Sequence, residues 1–351
     1  MRGARVTILC TVAAREAGLT ILASRWAHCL RGLGLQVEVN LPKDQHPDEE
    51  RGRRHDDLEG AIAHVRRRKA ESLLVMGLPA EDTSAASVVR LCLELADRCA
   101  LLWERPHHPQ LAVASGIPEV SQFAGRLLTL NPLTRDLLEA AAPKAAVFVV
   151  APAIPDGLFA VPYQPGRHAR EIVNIGRTSP QKRTVELAEL WTVIGHERRL
   201  PLKILTTPLA GHPDAELLAA VERSSPWIER QDGNRLQRRR EALERACAAV
   251  FPAAYDHLPQ ALLETMAAGV PSIVTPIDAH TCVIRDGETG LVMASPDLET
   301  GLPEALDRLL ASGDDVRAAI GQQAREAVRR QYSTSAVAVR LADVLFGDAA
   351  A

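Results

Sequence analysis

The chain has 351 residues, 46% of them hydrophobic and 24% charged, with a net charge of -3 at pH 7. That length accommodates two domains of ordinary size, each with its own core, and the near-balanced charge gives no field for holding a polyanion, so no nucleic-acid partner is expected. The 6 cysteines (Cys10, Cys29, Cys92, Cys99, Cys247, Cys282) form no C-x-x-C pair and stand at no zinc spacing from histidine. This predicts reduced core thiols in a cytoplasmic protein and no metal site.

Arg2, Arg5 and the apolar run 6–14 have the outline of a secretory signal, but Arg15 and Glu16 fall where a cleavage region is small and neutral. Residues 6–10 read better as a first strand. No run approaches the roughly 18 apolar residues of a membrane span, so no spanning segment is expected and membrane association is the less favoured reading. A loop to Gly18, a helix over 20–33, Gly34 as its stop and a strand over 36–39 complete a βαβ opening. It lacks G-x-G-x-x-G, which argues against a dinucleotide cofactor. Residues 41–57, polar and charged, read as a mobile surface loop. A helix over 57–69 ends in Arg66-Arg67-Arg68-Lys69, which suits a solvated helix end and less well a phosphate or membrane patch.

A strand over 72–76 and a helix over 84–98 follow, with Cys92 and Cys99 seven apart on one face as core. The strand over 100–104 delivers Arg105-Pro106-His107-His108-Pro109 into a loop at its carboxyl end, where open α/β sheets bind ligands; the two histidines read equally as surface residues. A strand over 127–130 leads to Asn131-Pro132, a cap and first residue for a helix to 142, and 145–150 is the last strand of this half. Four prolines between Pro152 and Pro165 mark a linker, and the domain boundary is placed near 165.

The second half restarts with a strand over 172–175 that runs into Gly176-Arg177-Thr178-Ser179-Pro180-Gln181-Lys182-Arg183. A cation pair on such a loop suits a diphosphate: Arg177 can grip oxygens bidentately and Lys182 acts as a point charge. A strand over 201–206 and helices over 216–223 and 235–247 come next, with Arg238-Arg239-Arg240 as a solvated face. Then a short helix stands between two apolar strands, 248–252 and 272–275. Pro259 opens it, and Gly269 and Pro271 close it. Its first amides have no intrahelical partner and suit an anion, and Asp256 and Glu264, with seven residues between them, bracket that site. The plainer reading is a core helix whose single Glu faces solvent. Asp286-Gly287 is a turn, helices follow over 302–311 and 315–330, and Tyr332-Ser333-Thr334-Ser335 precedes a last helix to about 346.

Residues 255–271 resemble retaining glycosyltransferases of the GT-B fold, specifically glycosyltransferase family four, whose pattern is E-G-(L/F)-(G/P)-x-x-x-x-E-A-M-A-x-G-x-P. The register holds at Leu258, Pro259, Glu264, Met266, Ala267, Gly269 and Pro271, while Asp256 replaces the first Glu and His257 the Gly. The loop 176–183 resembles the family's G-R-(L/F)-x-x-x-K-G, 151–159 is close to its P-N-G-(V/L)-D signature between domains, and 283–292 resembles I-x-D-G-x-T-G-(L/Y)-L. The likeness covers the second half well and the first half in layout only.

The resemblance implies an α/β chain of GT-B architecture: two Rossmann-like domains with parallel sheets facing an interdomain cleft. An acceptor-side domain would span 1–165, a nucleotide-sugar domain 166–332, and a helix within 333–351 would cross back to the first. It further implies retaining, metal-independent transfer from a nucleoside-diphosphate sugar, a UDP-sugar being expected, to an unidentified acceptor, with no cofactor. Arg177, Lys182, Asp256 and one of His107 and His108 would serve the reaction. Gly18, Gly176, His257, Leu258, Pro259, Gln260 and Glu264 would bind substrate, Glu264 through the nucleotide ribose. Aspartate for glutamate withdraws the carboxylate by ~1.5 Å, enough to break a hydrogen bond. With a side chain in place of glycine at 257, this predicts a donor other than plain glucose, such as an N-acetylated, deoxy or pentose sugar; the plainer alternative is a loop that moves to bring Asp256 to the same hydroxyl. The alternatives are a catalytically silent GT-B binding subunit and, behind it, a GT-B sugar-phosphate synthase or epimerase.

Overall fold

The structure, a computed structural model, describes residues 2–11, 17–42, 53–55, 57–68, 70–77, 82–103, 123–163, 171–207, 213–233, 235–256 and 258–347. The chain divides into two compact units, Met1–Ala153 with Gln331–Ala351, and Ile154–Arg330.

The first unit is built on β1 (Arg5–Cys10), α1 (Ala17–Gly32), β2 (Gln36–Pro42), β3 (Arg53–His55), α2 (Leu58–Arg68), β4 (Ser72–Met76), α3 (Asp82–Glu94), β5 (Cys99–Leu102), β6 (Arg126–Thr129), α4 (Pro132–Ala141) and β7 (Ala146–Val149). Its seven strands pair in parallel in the order β3-β2-β1-β4-β5-β6-β7. A parallel sheet is covered on both faces, so its strands are apolar runs rather than alternations, and every residue of β4, β5 and β6 is buried. Asn131 caps α4 by accepting from the Leu133 amide at 2.8 Å, as its sequence predicts. The last helix of the chain, α13 (Thr334–Phe346), is also part of this unit. Ser333 caps it, it packs on α1, β4 and β5, and it buries Val337, Leu341, Val344 and Leu345. Arg126 of β6 donates to the Gly347 carbonyl beside it at 2.9 Å.

Three expectations change here. Within the stretch expected to be a loop, residues 53–55 form β3, a three-residue strand at the edge of the sheet. Gly18 lies in the first turn of α1 and not in the loop before it. Cys99 begins β5 while Cys92 lies in α3, so the two buried thiols meet across elements rather than along one helix face. They are close enough that the Cys92 hydrogen bond, with burial, raises the Cys99 thiol well above its ordinary range.

The second unit contains α5 (Asp156–Phe159), β8 (Glu171–Arg177), a 3-10 turn (Pro180–Lys182), α6 (Thr184–Arg198), β9 (Leu202–Thr207), α7 (Pro213–Ser224), β10 (Ile228–Asp232), α8 (Leu236–Arg245), β11 (Ala246–Phe251), α9 (Gln260–Ala267), β12 (Ser272–Val274), α10 (Asp278–Thr281), β13 (Leu291–Val292), α11 (Leu298–Ala311) and α12 (Gly313–Tyr332). Its sheet runs β10-β9-β8-β11-β12-β13, again in parallel. Trp191 of α6 is fully buried among Ile204, Leu218, Leu306 and their neighbours, and its indole N–H is satisfied by the Leu200 carbonyl at 2.9 Å. The helix expected over 235–247 stops at Arg245, because Ala246 and Cys247 already belong to β11. Strand order reverses between β8 and β11. Ligands of doubly wound sheets bind beyond the carboxyl ends of the strands at such a reversal.

Candidate active site

Two loops leave the carboxyl ends of the adjacent strands β8 and β11, and the chain ties them together. Asn174, on β8, donates to the Val250 carbonyl of β11 at 2.8 Å. The Ala254 amide donates to the Gln181 carbonyl at 3.0 Å, and the Gln181 side chain returns a bond to the Tyr255 carbonyl at 2.9 Å. The loops are thereby registered so that Lys182 Nζ lies 2.5 Å from Asp256 Oδ2, with side chains 23% and 10% exposed. A pair this sheltered is screened little by solvent.

Lys182 and Asp256 line one pocket, to which Asn174, Gly176, Pro259, Gln260 and His280 also contribute. A Cβ placed on Gly176 would meet no heavy atom within 4 Å, so the open space reaches the backbone there. Helix α9 begins beside the pocket. Pro259 is its N-cap rather than its first helical residue, no side chain caps this end, and Leu258 and Pro259 are buried. Its first amides therefore lack intrahelical partners and favour an anion. Arg177 ends β8 exposed, with no ion-pair partner among the described residues.

Glu264 does not face solvent, as the plainer sequence reading had it. Its side chain is 1% exposed and accepts from Arg239 Nη1 at 2.5 Å. The run Arg238-Arg239-Arg240 is consequently not one solvated face: Arg238 is exposed, Arg240 pairs with Glu244 one turn along at 3.2 Å, and Arg239 turns inward.

His280, on the short α10, is a pocket residue that sequence reasoning missed. A histidine in Asp278-Ala279-His280-Thr281 has nothing to set it apart from a surface one. Its ring is wholly buried, with Nδ1 3.2 Å from both the carbonyl and the hydroxyl of Thr275. Burial pushes its pKa down to about 4, against the opposing effects of Asp256 and the Thr275 carbonyl and with the help of Lys182.

Of the other residues expected to serve the site, His107, His108 and His257 lie outside the described residues. Gly18 belongs to the first unit. The six cysteines form no disulfide, Cys282 is exposed and Cys247 half-buried rather than core, and among the described residues no three His, Cys, Asp or Glu side chains stand together as ligands for a metal ion.

The two parallel, helix-flanked sheets and the paired strand-end loops define the GT-B fold of glycosyltransferases. Over 98% of its own length and 98% of the other chain, the structure matches sucrose-phosphate synthase from Thermosynechococcus elongatus, with a TM-score of 0.72 and 13% identity. It matches HepE from Anabaena, solved in complex with UDP and glucose, over 97% and 98% of the two chains at a TM-score of 0.68 and 10% identity. The catalytic domain of starch synthase IV from Arabidopsis thaliana, bound to ADP and acarbose, matches over 100% of both at 0.68 and 12%. In sequence, residues 169–312 match the family Glycosyl transferases group 1, a segment that contains the whole pocket. No curated protein matches the chain in sequence.

Proposed function

We propose that the chain transfers a glycosyl unit from a nucleoside-diphosphate sugar to a hydroxyl or amine of an acceptor, with retention of anomeric configuration and without a metal ion or cofactor. The observation that carries this reading is the Lys182–Asp256 contact at the strand-order reversal, beside the uncapped start of α9. Lys182, Arg177 and the first amides of α9 would take the charge that grows on the diphosphate as it leaves, a preorganised arrangement that needs no rearrangement during the reaction. On donor binding Lys182 would exchange Asp256 for phosphate oxygens, which frees the Asp256 carboxylate for sugar hydroxyls. The leaving phosphate would then help deprotonate the acceptor. Glu264 would meet the ribose, with Arg239 fixing the orientation of its carboxylate. A UDP-sugar is the proposed donor, a choice supported by the UDP bound to the similar HepE structure. Asp256 and the side chain at 257 favour a sugar other than plain glucose. The first unit would carry the acceptor. We place the protein in the cytoplasm; no described helix is long and apolar enough to cross a membrane.

One observation favours a second reading, a silent binding subunit: the expected ribose contact, Glu264, is buried against Arg239. A single NMR time course with a panel of nucleotide sugars in excess EDTA separates the two. The transferase reading expects turnover, a product that keeps the donor's anomeric configuration, and a loss of kcat/KM of at least about 100-fold in Lys182→Ala, the order for one transition-state donor. Inverted product, or activity restored only by magnesium, refutes the mechanism. Donor binding by thermal shift with no turnover on any acceptor supports the silent subunit.

A further inference from the structure

We propose that His280 selects the donor's sugar: its Nε2 accepts a hydrogen bond from a sugar hydroxyl bound in the Lys182–Asp256 pocket. This rests on the donor reading above.

The tautomer follows from the neighbours. Nδ1 lies 3.2 Å from the Thr275 carbonyl, and a carbonyl only accepts, so Nδ1 carries the proton. The Thr275 hydroxyl gives its own proton to the Ala253 carbonyl at 2.6 Å, which leaves its oxygen to accept from Nδ1 as well. Nε2 is then a bare lone pair. It is buried and has no hydrogen-bond partner among the described residues, whereas buried polar atoms are almost always paired. The ring keeps this form because burial holds it neutral well below pH 7.

The pocket sorts its contents by hydrogen-bond sense. Lys182 only donates and suits phosphate oxygens. Asp256 and His280 line it too, and the carboxylate and the unprotonated Nε2 can only accept, so phosphate oxygens there would set lone pair against lone pair. Two acceptors beside one cation fit a group dense in hydroxyls joined to a phosphate, which is the sugar end of the donor. A site built to bond a hydroxyl rejects an analogue that lacks it, so His280 contributes discrimination as well as affinity.

Calorimetric titration of the full chain with UDP, with UDP-sugars and with their monodeoxy analogues tests this in native protein, His280→Leu and His280→Gln. We expect His280→Leu to weaken UDP-sugar binding by roughly 10- to 100-fold, the range for one buried hydrogen bond, and to leave UDP binding unchanged. One monodeoxy sugar should bind native and His280→Leu equally. His280→Gln, whose amide oxygen accepts, should recover part of the loss. In native protein the Nε2 15N resonance should move upfield with the UDP-sugar and stay put with UDP alone, a readout that does not depend on a variant folding. Equal weakening of UDP and UDP-sugar, or none, overturns the inference and leaves the donor reading standing; a loss on UDP alone assigns Nε2 to the ribose instead. A native protein that binds UDP but no sugar donor overturns the inference, and one that binds neither removes the donor reading together with it.

Discussion

Arg183, immediately after Lys182, has a φ of 52°, a backbone state that glycine adopts without strain and arginine does not. The resembled pattern has glycine at this position, so the turn that aims Lys182 was legible while the residue that makes it was not. Arg183 is held there by Glu186 at 2.6 Å and by the Pro296 carbonyl at 2.7 Å, partners that no local pattern reveals. His280 shows a similar limit, because its role depends on Thr275 and Asp256, which reach it only through the fold. Its depressed pKa has a measurable result. The unfolded ring takes its proton near its ordinary value of 6.5 and the folded ring only near about 4, so between those values the unfolded state binds more protons. Stability from this group is complete above pH 6.5 and is lost as pH falls toward 4. Asp256 and the Thr275 carbonyl soften the effect and Lys182 adds to it. Urea titrations at about pH 7 and about pH 4.5 should show native protein losing roughly 2–3 kcal/mol more than His280→Leu, since carboxylates common to both cancel in the difference. Equal losses would mean that the ring is charged when folded.

Helix α9 is where local sequence and distant packing meet. Its stop is local: Gly269 has a φ of 74°, as a C-terminal glycine should. What holds that end is not local. Arg325 of α12 donates to the Ala267 carbonyl at 3.1 Å and to the Ala268 carbonyl at 2.6 Å, and it reaches the Val161 carbonyl at 2.6 Å. A cation at the C-terminal end is also favoured by the negative end of the helix dipole. The two helices pack so closely that a Cβ on Gly321 would collide with the Gly269 carbonyl. Arg325→Ala leaves three carbonyls without this donor, and we expect it to destabilise the second unit by about 2–4 kcal/mol in denaturant titration. Arg325→Lys, a single point donor without the planar fork, should recover less than half of that. The start, length and end of α9 were legible because proline, glycine and helix formers act within a few residues. The burial of Glu264 was nearly so, since it stands in Leu262-Leu263-Glu264-Thr265-Met266-Ala267, all of which are buried. Its partner was not, because an arginine on a half-buried helix face has the same spacing as one on a solvated face. Strand β10 was missed for a related reason: Ile228-Glu229-Arg230-Gln231-Asp232 has one apolar residue, and an edge strand held by β9 alone needs no more.

The whole molecule has one continuous unit and one interrupted one. The second unit is a single stretch, Ile154–Arg330, while the first takes its opening 153 residues and then α13 from the end of the sequence. The α/β class and most strands were readable from apolar runs, but the packing of α13 on α1, β4 and β5 spans most of the chain and leaves no local mark. A chain cut before Ser333 should therefore lose amide protection in α1, β4 and β5 by hydrogen exchange, while β8, β11 and α9 keep theirs. Protection retained throughout would show α13 to be an accessory. The same arrangement reverses the usual order of assembly on the ribosome, where domains generally mature in the order in which they emerge. Here the residues of the first unit that precede Ile154 must wait, with the face of α1 that α13 covers left open, until Thr334–Phe346 has also emerged. Ile154–Arg330, one contiguous stretch, has all its parts before α13 follows, so residues made earlier meet their last partner later than residues made after them.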